Sequence, residues 1–306
     1  MTKLPERSRV YQCHHFDSTR WDYYEPRDDD IIIATSYKAG TTWAQAILAH
    51  LLFPSGDLPA GPAEMSPWLD FRLSPLEGSL NNLNSQKHRR FIKTHLPLDG
   101  MRYDERLKYV YVARDARDVF MSLWNHYSHM TDDFITLMNL LPGRVGDEFP
   151  APPDDIHEFW QNWMTRSWFE WESDGWPYWS HLSNVQSYWD FRERPNIQLI
   201  HYSDLLADTE GEIRRLAAFL EIDVPEAAWP GIVKAVSFQE MKKNGERYAP
   251  AGGAHWKGGA QTFLNKGTNG RWRDVLSEEE LELYEAACER TLTPDCREWM
   301  EHGGAV

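Results

Sequence analysis

Apolar residues fall into two rhythms along the chain. Short continuous runs rich in Ile, Val and Tyr occupy Ile31 to Thr35, Arg90 to Thr94, Lys108 to Ala113 and Ile197 to Tyr202. Such runs predict strands buried on both faces, as in a parallel sheet. Between them the spacing is helical over Thr41 to Phe53, Ala116 to Met130 and Thr209 to Leu220. Further helices are expected over His157 to Ser173 and Tyr178 to Arg194. A last one is predicted from Ser277 to Arg290, where Ser277-Glu278-Glu279-Glu280 has the form of a capping box. Strands separated by helices imply right-handed βαβ units. The expectation is a single α/β domain with a central, mainly parallel sheet flanked by helices and a core of about residues 30–290.

Two segments break the pattern. Leu141 to Asp155, with its prolines, is predicted as a loop. Gly245 to Gly270 holds seven glycines and little apolar periodicity, which predicts a long functional loop or lid.

Charge narrows the partners. A net charge of −15 argues against nucleic acid, whose phosphates need a basic face. Any site for a polyanion must be built locally from a few lysines and arginines. No apolar run approaches the ~18 residues of a membrane span, and Met1 to Arg7 lacks the apolar core of a leader, so a cytoplasmic chain is expected. Cys13, Cys288 and Cys296 form no CxxC pair and read as reduced thiols without a metal or catalytic role. Among the 15 tryptophans, Trp163, Trp168, Trp171, Trp176 and Trp179 sit close together. They read as helical core, or as walls of an apolar pocket for a second ligand.

The sharpest chemical signal follows the first strand. Residues 35–43, Thr-Ser-Tyr-Lys-Ala-Gly-Thr-Thr-Trp, join a strand to a helix through a tight glycine turn. Such a turn aims backbone N–H groups and the positive end of the helix dipole at one point, a site for an anion. Lys38 in the turn suggests a phosphate-like group. The lysine precedes Gly40, and Thr41-Thr42 follows it, unlike the usual P-loop order, which points away from ordinary ATP chemistry. After the second strand, alternation places Lys93 and His95 on one side at the C-terminal sheet edge, where open α/β sheets bind ligands. A histidine there can act as a base near neutral pH. Arg114 ends the third strand, and Ser122 lies about two turns along the next helix, so the two could hold a second anion. Arg117 and Asp118 read as a surface charge cluster. The segment Asn265-Lys266-Gly267 offers charge with close backbone approach, though a plain surface turn reads equally well. His126 and His129 share a helix face, but no metal is expected there.

Together these segments resemble the cytosolic-type sulfotransferases, which use 3′-phosphoadenosine 5′-phosphosulfate (PAPS). The resemblance runs from about Ile31 to Arg290 in the family's order. Its marks are Ser36 to Trp43, Lys93-Thr94-His95-Leu96-Pro97, Tyr109 through Ser122, Tyr202-Ser203-Asp204-Leu205, Ser237 to Asn244, and Lys266-Gly267. The resemblance implies that Lys38, Ala39, Gly40, Thr41, Thr42 and Trp43 cradle the 5′-phosphosulfate. Arg114, Ser122, Lys266 and Gly267 would hold the 3′-phosphate, with Asn265 in the same loop. Trp43, Tyr202 and Phe238 would flank the adenine. His95 would take the proton from the acceptor, Lys93 would steady the sulfuryl group, and Lys38 would reach the oxygen bridging phosphorus and sulfur. No metal is needed. The acceptor would be a small, partly apolar alcohol, phenol or amine, with Trp68, His126 and Tyr248 as candidate pocket walls.

The chain departs from the family at several places. Tyr37 and Ala39 stand where proline and serine are usual, and Val236 where threonine is usual. Asn265 replaces an arginine, a lost charge that Arg271 or Lys257 could cover. The dimer motif survives only as Arg273, Ser277-Glu278 and Glu282, so dimerisation through it is not expected. A P-loop phosphotransferase is disfavoured by the lysine position and by the lack of a magnesium-holding aspartate after a strand. A non-catalytic ligand-binding protein of the same fold is disfavoured by the presence of Lys38 and His95.

Overall fold

The computed structural model describes residues 4–306, so the first residues of the leader reading, 1–3, lie outside the described residues. Four parallel strands, β1 (Ile31–Thr35), β2 (Phe91–Thr94), β3 (Lys108–Ala113) and β4 (Ile197–His201), form one sheet in the order β2-β1-β3-β4. Ile31 and Ile33 face one hydrophobic cluster with Val110 and Val112, while Ile32 and Ala34 face the other with Tyr109 and Tyr111. Both faces are therefore covered, which is why the strands read as unbroken apolar runs. The chain steps from β1 to β2 on one side and then to β3 on the other. That reversal opens a crevice beyond the carboxyl ends of β1 and β3.

Where the structure differs from expectation, a non-local contact decides. Thr209–Phe219 and Glu278–Thr291 are helices as expected, the latter with both arms of its capping box formed. The helix expected over His157 to Ser173 is only Ile156–Thr165, because Gly175 N–H returns to the carbonyl of Trp163 and turns the chain back. The helix expected from Tyr178 is His181–Trp189, since the Ser180 hydroxyl caps the N–H of Ser183 at 2.9 Å. Tyr202 does not extend β4. His201 Nδ1 accepts from Ser203 N–H, and helix Tyr202–Ala207 begins there. The glycine-rich segment holds short turns of helix, Gly245–Tyr248 and Gly259–Phe263, which pack on each other, and the second and Trp256 are bonded to helix Ala116–Ser128. An unforeseen helix, Asp132–Leu140, follows it.

Of the clustered tryptophans, Trp163 and Trp179 are core, Trp168 and Trp171 pack against it, and Trp176 is half-buried. Trp160 and Trp163 are fully buried, and Trp179 stacks flat on Phe16 at 4.1 Å. No helix among the described residues is long and apolar enough to cross a membrane.

Candidate active site

A cavity of about 620 Å³ lies over the carboxyl ends of β1, β2 and β3. In a chain of net charge −15, Lys38, Lys93, Arg114, Lys266 and Arg271 line it with a single carboxylate, Glu64. The acidic surface thus surrounds a locally cationic pocket suited to a polyanion.

The turn after β1 forms one wall. Gly40 has φ 129°, and a Cβ there would lie 3.2 Å from the Tyr202 ring and 3.3 Å from Val112 Cγ1. Only glycine fits both the backbone and the space. Helix Thr41–Leu52 then points its N-terminus, with Thr41 and Thr42 lining, at the cavity. Lys38 sits at φ 59°, and its Nζ rests 3.3 Å from His126 Nδ1 and 4.5 Å from the Phe263 ring centre. Burial lowers its ammonium to about 7, helped by repulsion from Lys93 and Arg114. Burial likewise lowers Lys93 to about 8, where the ammonium lies 4.3 Å over Trp68 and buried Asp70 favours its charge.

His95 is fixed from behind. Its Nδ1 is 2.9 Å from the carbonyl oxygen of Thr35, which can only accept, so the proton of the neutral ring sits on Nδ1 and the lone pair on Nε2. Trp179 Nε1 and Asn184 Nδ2 both donate to the His95 carbonyl at 3.0 Å. The Trp68 ring meets the imidazole edge-on and the Tyr37 ring leans on it. Burial, then the charges of Lys93 and Lys38, hold the imidazole well below its ordinary value. It is therefore a neutral imidazole in a cationic pocket. His181 ties the turn to β3, donating from Nε2 to the Arg114 carbonyl at 3.0 Å while its Nδ1 accepts from the Ser36 hydroxyl.

The other end gathers Arg114, Ser122, Asn265, Lys266 and Gly267 with Trp43, Tyr202 and Phe238. Arg114 donates to Asn269 Oδ1 and the Thr268 carbonyl, and its guanidinium lies 4.2 Å over Tyr202. Gly267 has φ 66°, and a Cβ there would strike the Phe238 ring at 2.5 Å, so the loop backbone lies directly on that face. Trp43 meets Tyr202 edge-on at 5.2 Å. The expected surface cluster at Arg117 and Asp118 is instead buried structure. Asp118 Oδ1 accepts from Gly270 N–H at 2.7 Å, and Arg117 pairs with Asp115 over the Trp272 ring.

Trp68 and His126 line the cavity, whereas Tyr248 is buried in the core behind it and Ala39 packs away from it. The sequence reading missed His15, Phe71, Met130, Phe134, Met138, Trp256 and Phe263, which line the apolar end. Phe134 and Met138 share one helix face at i,i+4, a signal that could have marked them. Cys13, His14 and His15 are the one group among the described residues spaced for a metal. Their ring nitrogens are already taken. His14 Nε2 donates to the Pro177 carbonyl, so its Nδ1 accepts from His15 Nδ1, and His15 Nε2 accepts from the Tyr37 hydroxyl.

Comparison with known proteins agrees with this architecture. A family model described as the sulfotransferase domain matches residues 28–302. A glycolipid sulfotransferase of Mycobacterium bovis is 30% identical, covering 96% of this chain and 94% of its own length. Mouse sulfotransferase SULT7A1 complexed with PAP shares the fold at TM-score 0.68 with 18% identity, over 92% of this chain and 91% of its own. Retinol dehydratase in a complex with retinol and PAP does so at TM-score 0.66 with 23% identity, over 90% and 84%. The chain belongs to the sulfotransferase family of enzymes.

Proposed function

We propose that the enzyme moves the sulfuryl group of PAPS to a hydroxyl or amine of a partly apolar acceptor, with His95 as the base. The observation that carries this reading is a neutral histidine, tautomer fixed, lining the same cavity as five cationic side chains and the rings of Trp43, Tyr202 and Phe238. The residues suit the donor. Two glycines bring backbone against rings, and Trp43, Tyr202 and Phe238 offer faces to a base. Five cations against one carboxylate suit phosphates held by charge and give a hard metal ion few ligands. The two structural neighbours bound to PAP support the same reading.

In the transfer, the acceptor oxygen or nitrogen forms a bond to sulfur as the bond from sulfur to the phosphate oxygen breaks. His95 Nε2 takes the acceptor's proton, and 3′-phosphoadenosine 5′-phosphate (PAP) leaves. Lys38 and the helix N-terminus offset charge on the leaving phosphate, and Lys93 offsets charge on the sulfuryl oxygens, so positioning and electrostatics supply most of the rate. Phe71, Met130, Phe134, Met138 and Trp256 form an apolar acceptor end. That lining suits an alcohol on an apolar body, and the glycolipid sulfotransferase relative points the same way. Three buried free thiols suit a reducing, cytoplasmic setting.

Mass-spectrometric screening of PAPS with glycolipids, sterols and phenols tests the reading. Sulfated product and released PAP are expected for an apolar alcohol. Donor-dependent melting without product across all classes would instead favour a non-catalytic protein.

A further inference from the structure

Asn265 leaves the 3′-phosphate end one charge short of the family pattern, and two basic residues were candidates to cover it. Lys257 does not line the cavity; its Nζ pairs with Asp132 at 3.3 Å. Arg271 does line it, where the charge of Arg114 acts on it and it in turn acts on Tyr202 and Asp118. Its backbone is fixed by the turn before it, where Gly270 has φ 81° and gives its N–H to Asp118. That turn is fixed in its own right, because Asn269 is bonded to both Arg114 and Ser203.

The Arg271 side chain has no hydrogen bond or ion pair among the described residues, and its Nε is buried without a partner. Burial and the facing Arg114 both push against its charge. A guanidinium held beside another at a cavity wall, with a buried donor unspent, is an unsatisfied arrangement that a dianion would complete. Asn265 cannot reproduce it, since an amide carries no charge. The Asn265 carbonyl is meanwhile engaged by Lys242 Nζ, which pins the loop from the other side.

We propose that Arg271 supplies the charge missing at Asn265 and clamps the donor's 3′-phosphate against Arg114. The clamp rests on the donor reading above and makes the chain's selectivity for a 3′-phosphorylated nucleotide depend on a residue six positions beyond the usual one. The donor fork reaches the phosphate from the start of the turn at Arg271–Asp274, not from the preceding loop.

Calorimetry with PAP and with adenosine 5′-phosphate, which lacks the 3′-phosphate, tests it. Arg271→Gln should weaken PAP about 10- to 100-fold, the range for a charged hydrogen bond, and leave adenosine 5′-phosphate within about threefold. Arg271→Lys, which keeps the charge and loses the fork, should fall between. Asn265→Arg alone should leave PAP affinity within about threefold, because the charge is already supplied, but should restore it in the Arg271→Gln background. Retained preference for PAP in Arg271→Gln, or a gain of about tenfold from Asn265→Arg alone, overturns the proposal. If Arg271→Gln lowers ligand-free melting, the Asn265→Arg result still decides. A wild-type chain indifferent to the 3′-phosphate would overturn the donor reading itself, and this inference with it.

Discussion

The two ends of the cavity are built from different materials. At the cationic end the backbone is the instrument. Gly267 leaves no room for a Cβ, Gly40 would crowd one at a φ that side chains rarely adopt, and Arg114 is tied by two hydrogen bonds to the loop that also carries Lys266. At the apolar end the walls are Met130, Phe134, Met138, Trp256 and Phe263, with His15, His126 and His255 among them. Thioethers and rings drawn from several segments of the chain can repack around different shapes. On the proposed reading the contrast is a division of labour: the cationic end would select one nucleotide, and the apolar end would accept a class.

The largest test of that division sits where the ends meet. His95→Ala should lower turnover by roughly 10²–10⁴-fold while PAP affinity stays within a few-fold, measured by initial rates beside calorimetry. A parallel collapse of PAP binding would move His95 into the donor end. Lys38→Met should cost turnover about 10²–10³-fold, the scale of one lost donor to developing charge. Lys38 now leans on His126 at 3.3 Å, so this variant also asks whether that contact belongs to the donor or the acceptor side. A change in acceptor KM without loss of turnover would assign it to the acceptor side.

Gly267→Ala probes the cationic end by space alone. The added methyl meets the Phe238 ring at 2.5 Å and the backbone sits at φ 66°, so the loop must lift. PAP affinity should fall about tenfold or more, given strain of order 1–3 kcal/mol for such a position, with acceptor KM nearly unchanged. An acceptor KM that moved as far as PAP affinity would show the two ends to be one flexible unit.

The same contrast explains what could be read from the chain. Gly40 and Lys38 were legible because a turn's chemistry is local: the residues that shape it are neighbours in sequence, whereas Lys266-Gly267 read equally well as a plain surface turn and was singled out only by the family resemblance. The parallel sheet was legible for a similar reason, since burial on both faces leaves continuous apolar runs. The apolar end was legible only at Trp68 and His126. Phe71, Met130 and Phe263 come from distant segments and look like any core residue until the fold brings them together. Asp118 was misread as surface because its partner, the N–H of Gly270, lies far along the chain. The helix ending at Thr165 failed the same way, cut short by Gly175. Local pattern carried the donor end and tertiary contact carried the rest.

The smallest predicted effect separates the two ends by pH. Lys38, held near 7 in the ligand-free cavity, is charged in about half the molecules at that pH and must be charged to meet a phosphate. A bound dianion raises its value, so binding takes up a proton above pH 7. The sign follows: affinity is full below about pH 7 and falls as pH rises through the ligand-free value toward the bound one. From pH 7 to pH 8 one such proton weakens PAP about fivefold, and Lys93, held near 8, steepens the slope at its upper end. Calorimetry in buffers of different ionisation enthalpy should show uptake of about one proton at pH 8, and Lys38→Met should remove most of it. An apolar alcohol meets no such requirement, so acceptor KM should stay flat across the same interval. If acceptor KM fell or rose in step with PAP affinity, the ammonium would serve both ends of the cavity and the division argued from their walls would fail.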